Sequence, residues 1–495
     1  KSKGVKMKFD ETNIKSLIRE VADKWDYSGH FSLFCHGNRL FSEFYGYENR
    51  EKKTKTTKET RYLVDSRQEF FARFSILMEA SKKTIKLNDR IAKYIPELEH
   101  GDKITIKNLL KSESGLLDFN YGYLMVRFET DDKLKSLPEY DRVRKEHSII
   151  YENRDFKTVL DIINDRDLEF EPGKKDRYSS SDIVILNELL KRLTGLTPFE
   201  YLKINVFDVL GMDSVEYGTD ITTLSFVEHK ISEHVSAPVD FDVDGVFSVR
   251  NDDLEKLMKA ILDKQFLSEN IWKTALKKNR EGNCILFGNA SGFDTVSMEF
   301  LGYDVSYYFD FKKQIAYSCV SNEQQLFEFN DNTWSYYRKD FRSAVTAAMT
   351  YPENTKMVKL DKKNFWSVLD ISVKPEQNKF VLNAKSSVAM GLFNKTQNIF
   401  VQMEGDIVVG LLVLEIDKKK ETYYISIVII DKKFQGKGFG KLMIKWAVEK
   451  LKEEGATSLT IGVNRENIAA KRVYVSAGFK PKSVYPGGML LEFKL

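Results

Sequence analysis

Phe434-Gln435-Gly436-Lys437-Gly438-Phe439-Gly440 lies between an almost wholly apolar run, Tyr423–Ile430, and a segment, Lys441–Lys452, in which Leu442, Met443, Trp446, Ala447 and Leu451 recur at helical spacing. The run predicts a central strand and the segment an amphipathic helix. A strand, a glycine-rich turn and a helix together suit phosphate binding. Glycine removes the Cβ atoms that would shield backbone amides, and the first helical turn presents unpaired N–H groups reinforced by the helix dipole. The spacing fits neither G-x-G-x-x-G with its later acidic residue nor G-x-x-x-x-G-K-[ST], so a dinucleotide fold and a triphosphatase loop are poor fits. Read alone, the seven residues are also compatible with a plain glycine turn.

The flanking sequence narrows the choice. Downstream, Leu459–Val463 predicts a strand, Asn467–Ala477 a helix carrying Ala470, Val473 and Tyr474, Gly478 a helix stop, and Met489–Phe493 a last strand. Upstream, Ile399–Met403 and Ile407–Ile416 predict strands, and Lys363–Leu369 and Glu376–Gly391 helices. Gln435-x-x-Gly438-x-Gly440 followed by Asn467, Ala470, Tyr474, Gly478 and Phe479 resembles the GNAT superfamily of N-acetyltransferases across essentially all of Lys356–Leu495. Val373-Lys374-Pro375-Glu376-Gln377, Ser386-x-x-x-Met390, Val409-Gly410 and Ile430–Gly438 are similar to its spermidine/spermine acetyltransferase branch.

That resemblance implies acetyl-CoA as the acyl donor and a small amine, such as a polyamine, as acceptor. It implies that Val428, Ile429 and Ile430 hold the pantetheine arm through a strand splayed from its neighbour. Gln435, Gly436, Lys437, Gly438, Phe439 and Gly440 would receive the pyrophosphate, with Asn467 and Ala470 completing the coenzyme site. Tyr474 stands at the position of the catalytic acid, and a phenol with an ordinary pKa near 10 is protonated at neutral pH; a packed helix aromatic is the alternative. Glu376 and Asp431 are candidates near a cationic amine, although Glu376 also suits plain compensation of a helix N-terminus. No general base stands out, because every His of the chain precedes this unit.

Charge separates this unit from the rest. Residues 356–495 hold 24 Lys and Arg against 14 Asp and Glu, a balance of +10 that leaves −6 for residues 1–355 of a chain whose total is +4. Two domains are therefore expected, 1–355 and 356–495, joined at the turn Tyr351-Pro352-Glu353-Asn354. The composition, 42% hydrophobic and 30% charged, is that of a folded globular chain. The small total charge argues against a nucleic-acid partner, and no apolar run of membrane-spanning length occurs. Cys35, Cys284 and Cys319 have no C-x-x-C spacing and the six His form no ligand pair, so no metal is expected. A cytoplasmic location is expected, although an export signal on a longer precursor stays open.

Residues 1–355 read as a helix (Asn13–Trp25), a hairpin around His36-Gly37-Asn38-Arg39, further helices at Phe70–Lys83, Asp182–Leu193 and Asn251–Phe266, and three strand-like runs in Cys284–Tyr317. Helices in the middle and strands at both ends predict a sheet assembled from the two ends of the unit. Tyr45–Arg50, Ile104–Leu116, Phe170-Glu171-Pro172-Gly173, Tyr178-Ser179-Ser180 and Phe207–Met212 occur in the order of the serine beta-lactamase-related and penicillin-binding family, class C and esterase branch, which this unit resembles from Tyr27 to Glu328. The fold class implied is a beta-lactamase-like α/β domain followed by a GNAT α/β domain with a mixed central sheet, α/β and α+β overall.

In that family a nucleophilic Ser opens a helix and a Lys one turn on activates it. Here Ser66 is followed by Glu69 where the Lys should be. The Tyr-x-Asn element is Tyr178-Ser179-Ser180, with Ser180 replacing Asn, and the Lys/His-x-Gly strand is matched by Gly288–Phe293 with Asn289 and no cation. A carboxylate with an ordinary pKa near 4.3 is a poor base for an alcohol. Ser66 and Glu69 are equally readable as a capping box and Tyr178 as a partly buried aromatic. The expectation is a degenerate domain that shapes the amine site, recognises a peptide or cell-wall fragment, or supports a homodimer. The rivals are a bifunctional serine hydrolase/acetyltransferase and a non-catalytic binding protein.

Overall fold

The computed structural model describes residues 11–120, 132–136, 155–218, 225–229, 233–237, 245–279, 282–290, 293–300, 303–325 and 336–495. The chain divides into two compact units, Val21–Arg338 and the described part of Lys1–Glu20 with Lys339–Leu495. This division differs from a cut at 355/356, and the reason is local. The Glu404 carboxylate accepts from Glu353 N (3.1 Å), Asn354 N (2.6 Å) and the Thr355 hydroxyl (2.6 Å), tying the expected boundary turn into the sheet of the unit Lys339–Leu495. Lys433 Nζ donates to Ser343 Oγ at 3.0 Å, Lys432 pairs with Glu20, and Asn13 Nδ2 donates to Lys433 O at 3.3 Å.

In the unit Val21–Arg338, a six-stranded sheet runs Gly288–Ala290, Phe293–Phe300, Tyr303–Asp310, Ile315–Ser321, Gly29–Cys35, Asn38–Tyr45, with every adjacent pair antiparallel. The two chain ends meet where Gly29–Cys35 pairs with Ile315–Ser321, the sheet expected from the sequence. The helices Glu69–Ser81 and Ser180–Thr194 contribute Phe70, Phe71, Phe74, Leu186 and Leu189 to one large apolar core. The third helix ends at Leu262 rather than Phe266, because Lys264 and Phe266 take positive φ of 57° and 69° and turn the chain out of the helix.

The other unit is built on a seven-stranded mixed sheet ordered Thr355–Lys359, Gln397–Glu404, Ile407–Asp417, Thr422–Ile430, Ser458–Asn464, Gly488–Lys494, Lys480–Tyr485. Its interior is apolar on both faces. Leu412, Leu414 and Ile425 pack on Met443, Ile444, Ala447 and Leu451 of the helix Phe439–Glu453. Leu411, Val413 and Ile429 pack against Val368, Ala384 and Val388 on the opposite face. Burial on both sides, continuous from Val409 to Leu414, explains why the strand Ile407–Asp417 reads as near-continuous hydrophobic sequence. The expected helix Glu376–Gly391 is instead a short turn, Pro375–Gln377, and a later helix, Ala384–Phe393. Asn383 accepts from Ser386 N at 2.8 Å and caps the helix there, leaving Phe380 and Val381 in the connection.

One pairing in this sheet is short. Thr422–Ile430 is parallel to Ser458–Asn464, yet only Tyr424 with Thr460 and Ile425 with Ile461 are in register. On its other side the same strand stays paired with Ile407–Asp417 as far as Gly410 with Ile430, with a register shift that skips Ser426. A bulge bends and twists a strand. The strand therefore bends at the residue where its parallel neighbour is lost, and among the described residues no strand pairs with that edge of the backbone from Ser426 to Ile430.

Candidate functional site

A cavity of about 580 Å³ opens where the strands part, lined on one side by Ser426, Val428 and Ile430 and on the other by Ile461, Val463 and Asn464. Gln435, Gly436, Gly438 and Gly440 form part of its wall, as do Asn467, Ala470 and Tyr474. The structure thus brings the strand, the glycine loop and the later helix to one site.

Gly436 and Gly438 have φ of 79° and 99°, values that ordinary side chains adopt at a cost. Gly438 is the residue before the helix Phe439–Glu453, whose first-turn amides have no intrahelical acceptor. A Cβ at Gly436 would meet nothing within 4 Å, and one at Gly438 only Pro352 Cγ at 3.9 Å, so both glycines leave open the space beside their amides. Gln435 Nε2 donates to Ile430 O at 3.0 Å and to Gln377 Oε1 at 2.8 Å, bracing the loop against the strand end. Asn467 caps the helix Ile468–Ser476 by accepting from Ala470 N at 3.1 Å.

Three residues of the expected coenzyme set turn their side chains elsewhere. Ile429 is buried in the opposite core. Lys437 donates to Ala347 O and lies 4.9 Å from the Tyr351 ring centroid. Phe439 is 1% exposed, against Phe434 at 6.1 Å, and its carbonyl accepts from Gln402 Nε2 at 3.0 Å. Each can offer backbone alone. Asp431 does not line the cavity: its carboxylate accepts from Lys433 N (2.9 Å) and Ser372 N (3.1 Å), and Glu376 is exposed and also outside the lining.

Tyr474 is 7% exposed and lines the cavity, and its hydroxyl has no hydrogen-bond partner among the described residues. Burial, then the neighbouring Tyr424, pushes its pKa above the usual phenol value. It is a proton holder through the neutral range. Sequence reasoning missed Lys441 and Arg472, exposed cations on the cavity wall with no ion-pair partner among the described residues. Lys441 directly follows Gly440 and could have been found; Arg472 becomes visible only when its helix is placed. Ser426 was also missed, and its buried hydroxyl has no partner among the described residues.

These features fit acetyl-CoA: a strand edge unpaired from Ser426 to Ile430 among the described residues, an open glycine cradle at a helix start, and two cations with no ion-pair partner among the described residues. Among the described residues no cluster of His, Cys, Asp or Glu could hold a metal, and no helix is long and apolar enough to cross a membrane.

In the unit Val21–Arg338, Ser66 is fully buried, and its hydroxyl donates to Gly245 O at 2.7 Å. The capping box does not form. The helix starts at Glu69 with Gln68 before it, because Asp65 takes the Arg67 N–H at 2.8 Å and the Arg67 guanidinium at 2.9 Å in a preceding turn. Glu69 instead pairs with Arg73 one turn on, at 2.7 Å. Tyr178 is 57% exposed rather than partly buried. Ser180 donates to Asp118 at 2.6 Å and begins its helix, which Ser179 caps by accepting from Ser181 N. Asn289 is in register with Asp294 on the edge strand.

The sequence profile of the Beta-lactamase family matches residues 14–283, and that of the Acetyltransferase (GNAT) family matches residues 354–479. A teichoic acid D-alanine hydrolase of Staphylococcus aureus is 22% identical over 191 residues, 39% of this chain and 41% of that relative, so the match spans less than half of the relative's length. Among solved structures, an octameric penicillin-binding protein homologue from Pyrococcus abyssi aligns with a TM-score of 0.53 and 16% identity, covering 84% of this chain and 90% of its own. A penicillin binding protein from Bacillus halodurans aligns with a TM-score of 0.51 and 17% identity, covering 67% and 99%. At these identities the structural likeness shows the fold alone.

Proposed function

Since the chain belongs to the Beta-lactamase family over residues 14–283 and carries a GNAT acetyltransferase domain over residues 354–479, we propose that it is an acetyl-CoA-dependent N-acetyltransferase of a small amine, joined to a beta-lactamase-like unit that does not hydrolyse. The observation that carries this reading is the parting of Thr422–Ile430 from Ser458–Asn464 beside the cradle of Gly436 and Gly438. Acetyl-CoA, when bound, supplies an acetyl group activated as a thioester. The edge from Ser426 to Ile430 offers backbone hydrogen bonds to the pantetheine arm. The amides after Gly438 receive the pyrophosphate, Lys441 and Arg472 offset its charge, and the Tyr474 hydroxyl holds the proton that the leaving sulfur requires. The reading carries a cytoplasmic place of work, where this coenzyme is found. Calorimetric titration of the full chain with acetyl-CoA tests it; absence of binding would refute it.

For the other unit, no covalent adduct at Ser66 is expected after incubation with a beta-lactam or a fluorophosphonate, followed by intact-mass spectrometry. The hydroxyl proton is engaged by Gly245 O, and Glu69 is neutralised by Arg73 rather than placed as a base. A stoichiometric adduct mapped to Ser66 would establish the bifunctional alternative. Ser66→Ala is expected to lower stability by about 1 kcal/mol through loss of that buried hydrogen bond, with acetyltransferase activity unchanged.

A further inference from the structure

The chemistry available to an acceptor is set by what lines the cavity. Away from the glycine loop the wall is apolar, with Val373, Phe380, Val381 and Ile425, and its polar groups there include the neutral Gln377 and Ser426. No Asp, Glu or His lines the cavity among the described residues, and residues 339–495, described throughout, contain no His. The charged lining residues are the cations Lys441 and Arg472. Two consequences follow. A polycation would find no carboxylate to hold it. An ammonium ion would find no group suited to take its proton, since Tyr474 is held protonated by burial.

The acceptor must therefore bring its own supply of free base. An α-amino group, with a pKa near 8, is roughly 10% neutral at pH 7, whereas an alkylammonium with a pKa near 10.4 is about 0.04% neutral, a difference of a few hundred-fold. We propose that the acceptor is the α-amino group of an amino acid or short peptide bearing an apolar side chain, and that its proton leaves to water rather than to a protein base. This inference rests on the acetyltransferase reading above. The ammonium loses one proton to water, the nitrogen lone pair forms the amide C–N bond as the C–S bond breaks, and the nitrogen's surplus proton also passes to water. The departing sulfur takes the Tyr474 proton, which water replaces, so one proton is released per turnover.

The test uses the full chain and the probes leucylglycine and spermidine. Calorimetry with acetyl-CoA comes first, and failure there removes the acetyltransferase reading and this inference with it. With coenzyme A saturating the chain, leucylglycine is expected to bind at least tenfold more tightly than spermidine. In initial-rate measurements, kcat/KM for the dipeptide should rise with pH and level near the dipeptide's own pKa, about 8. A second acceptor of lower amine pKa should move that inflection with it. A chain that binds acetyl-CoA but prefers spermidine, or binds neither probe, or shows one inflection for every acceptor, overturns the α-amino assignment while leaving the acetyltransferase reading in place.

Discussion

Gly438→Asp is expected to weaken acetyl-CoA binding by at least about 100-fold, equivalent to about 2.7 kcal/mol at 1.36 kcal/mol per decade, while the protein remains folded. Gly438 has φ of 99° and immediately precedes a 15-residue helix. An Asp there places a carboxylate beside the amides that would receive the pyrophosphate, where it both repels the phosphates and competes for the same N–H donors. The side chain itself meets little, with Pro352 Cγ at 3.9 Å as the near neighbour of a Cβ. Backbone strain of about 1 kcal/mol is thus the main cost to stability. Gly438→Ala separates the two effects, since it adds the strain without the charge and should lose distinctly less affinity. Calorimetric titration and thermal unfolding of both variants provide the measurement. Unchanged affinity in the Asp variant would remove Gln435–Gly440 from the pyrophosphate site.

Tyr474→Phe is expected to lower turnover by roughly 10–100-fold with acetyl-CoA affinity within a few-fold. Tyr474 is buried and lines the cavity, and the ring keeps its packing near Phe479, 6.3 Å between centroids, when the oxygen is removed. The sign of its pKa shift matters. A phenol raised by burial keeps its proton through neutral and mildly alkaline pH, so wild-type turnover should show no loss of this donor as pH rises to about 10. Steady-state kinetics and calorimetry on the same preparation decide the matter, and full turnover would reduce Tyr474 to a packing residue.

Much of the cavity wall was legible in advance because its signals are contiguous. Glycines at 436, 438 and 440 declare a turn with exposed amides, and Asn467 with Ala470 declares a helix start, which the hydrogen bond between them realises. The failures were of a different kind. Glu376–Gly391 carries helical spacing, but the Asn383 cap divides it, and the freed Phe380 and Val381 become cavity wall. Asp431 reads as a carboxylate near an amine, yet two backbone amides occupy it. Ser66 and Glu69 have capping-box spacing, but Asp65 and Arg67 form a turn that delays the helix to Glu69.

By itself, then, the amino-acid sequence determined the two-domain character, the strand–glycine turn–helix order, the missing lysine after Ser66 and the absence of His from the acetyltransferase unit. Each is a property of residue identity, at short spacing or summed along a segment, and no folding can alter it. Tertiary structure decided where the strands part, since that depends on the register of Thr422–Ile430 with two neighbours at once, one bulged at Ser426 and one ending at Ile425. It also decided the state of Ser66, whose hydrogen-bond acceptor Gly245 lies 179 positions away, and the chemistry of the cavity, which gathers residues from Val373 to Ser476. A side chain's partners are set by the packing of distant segments, so the spacing that identified these residues could not say which of them would face an acceptor.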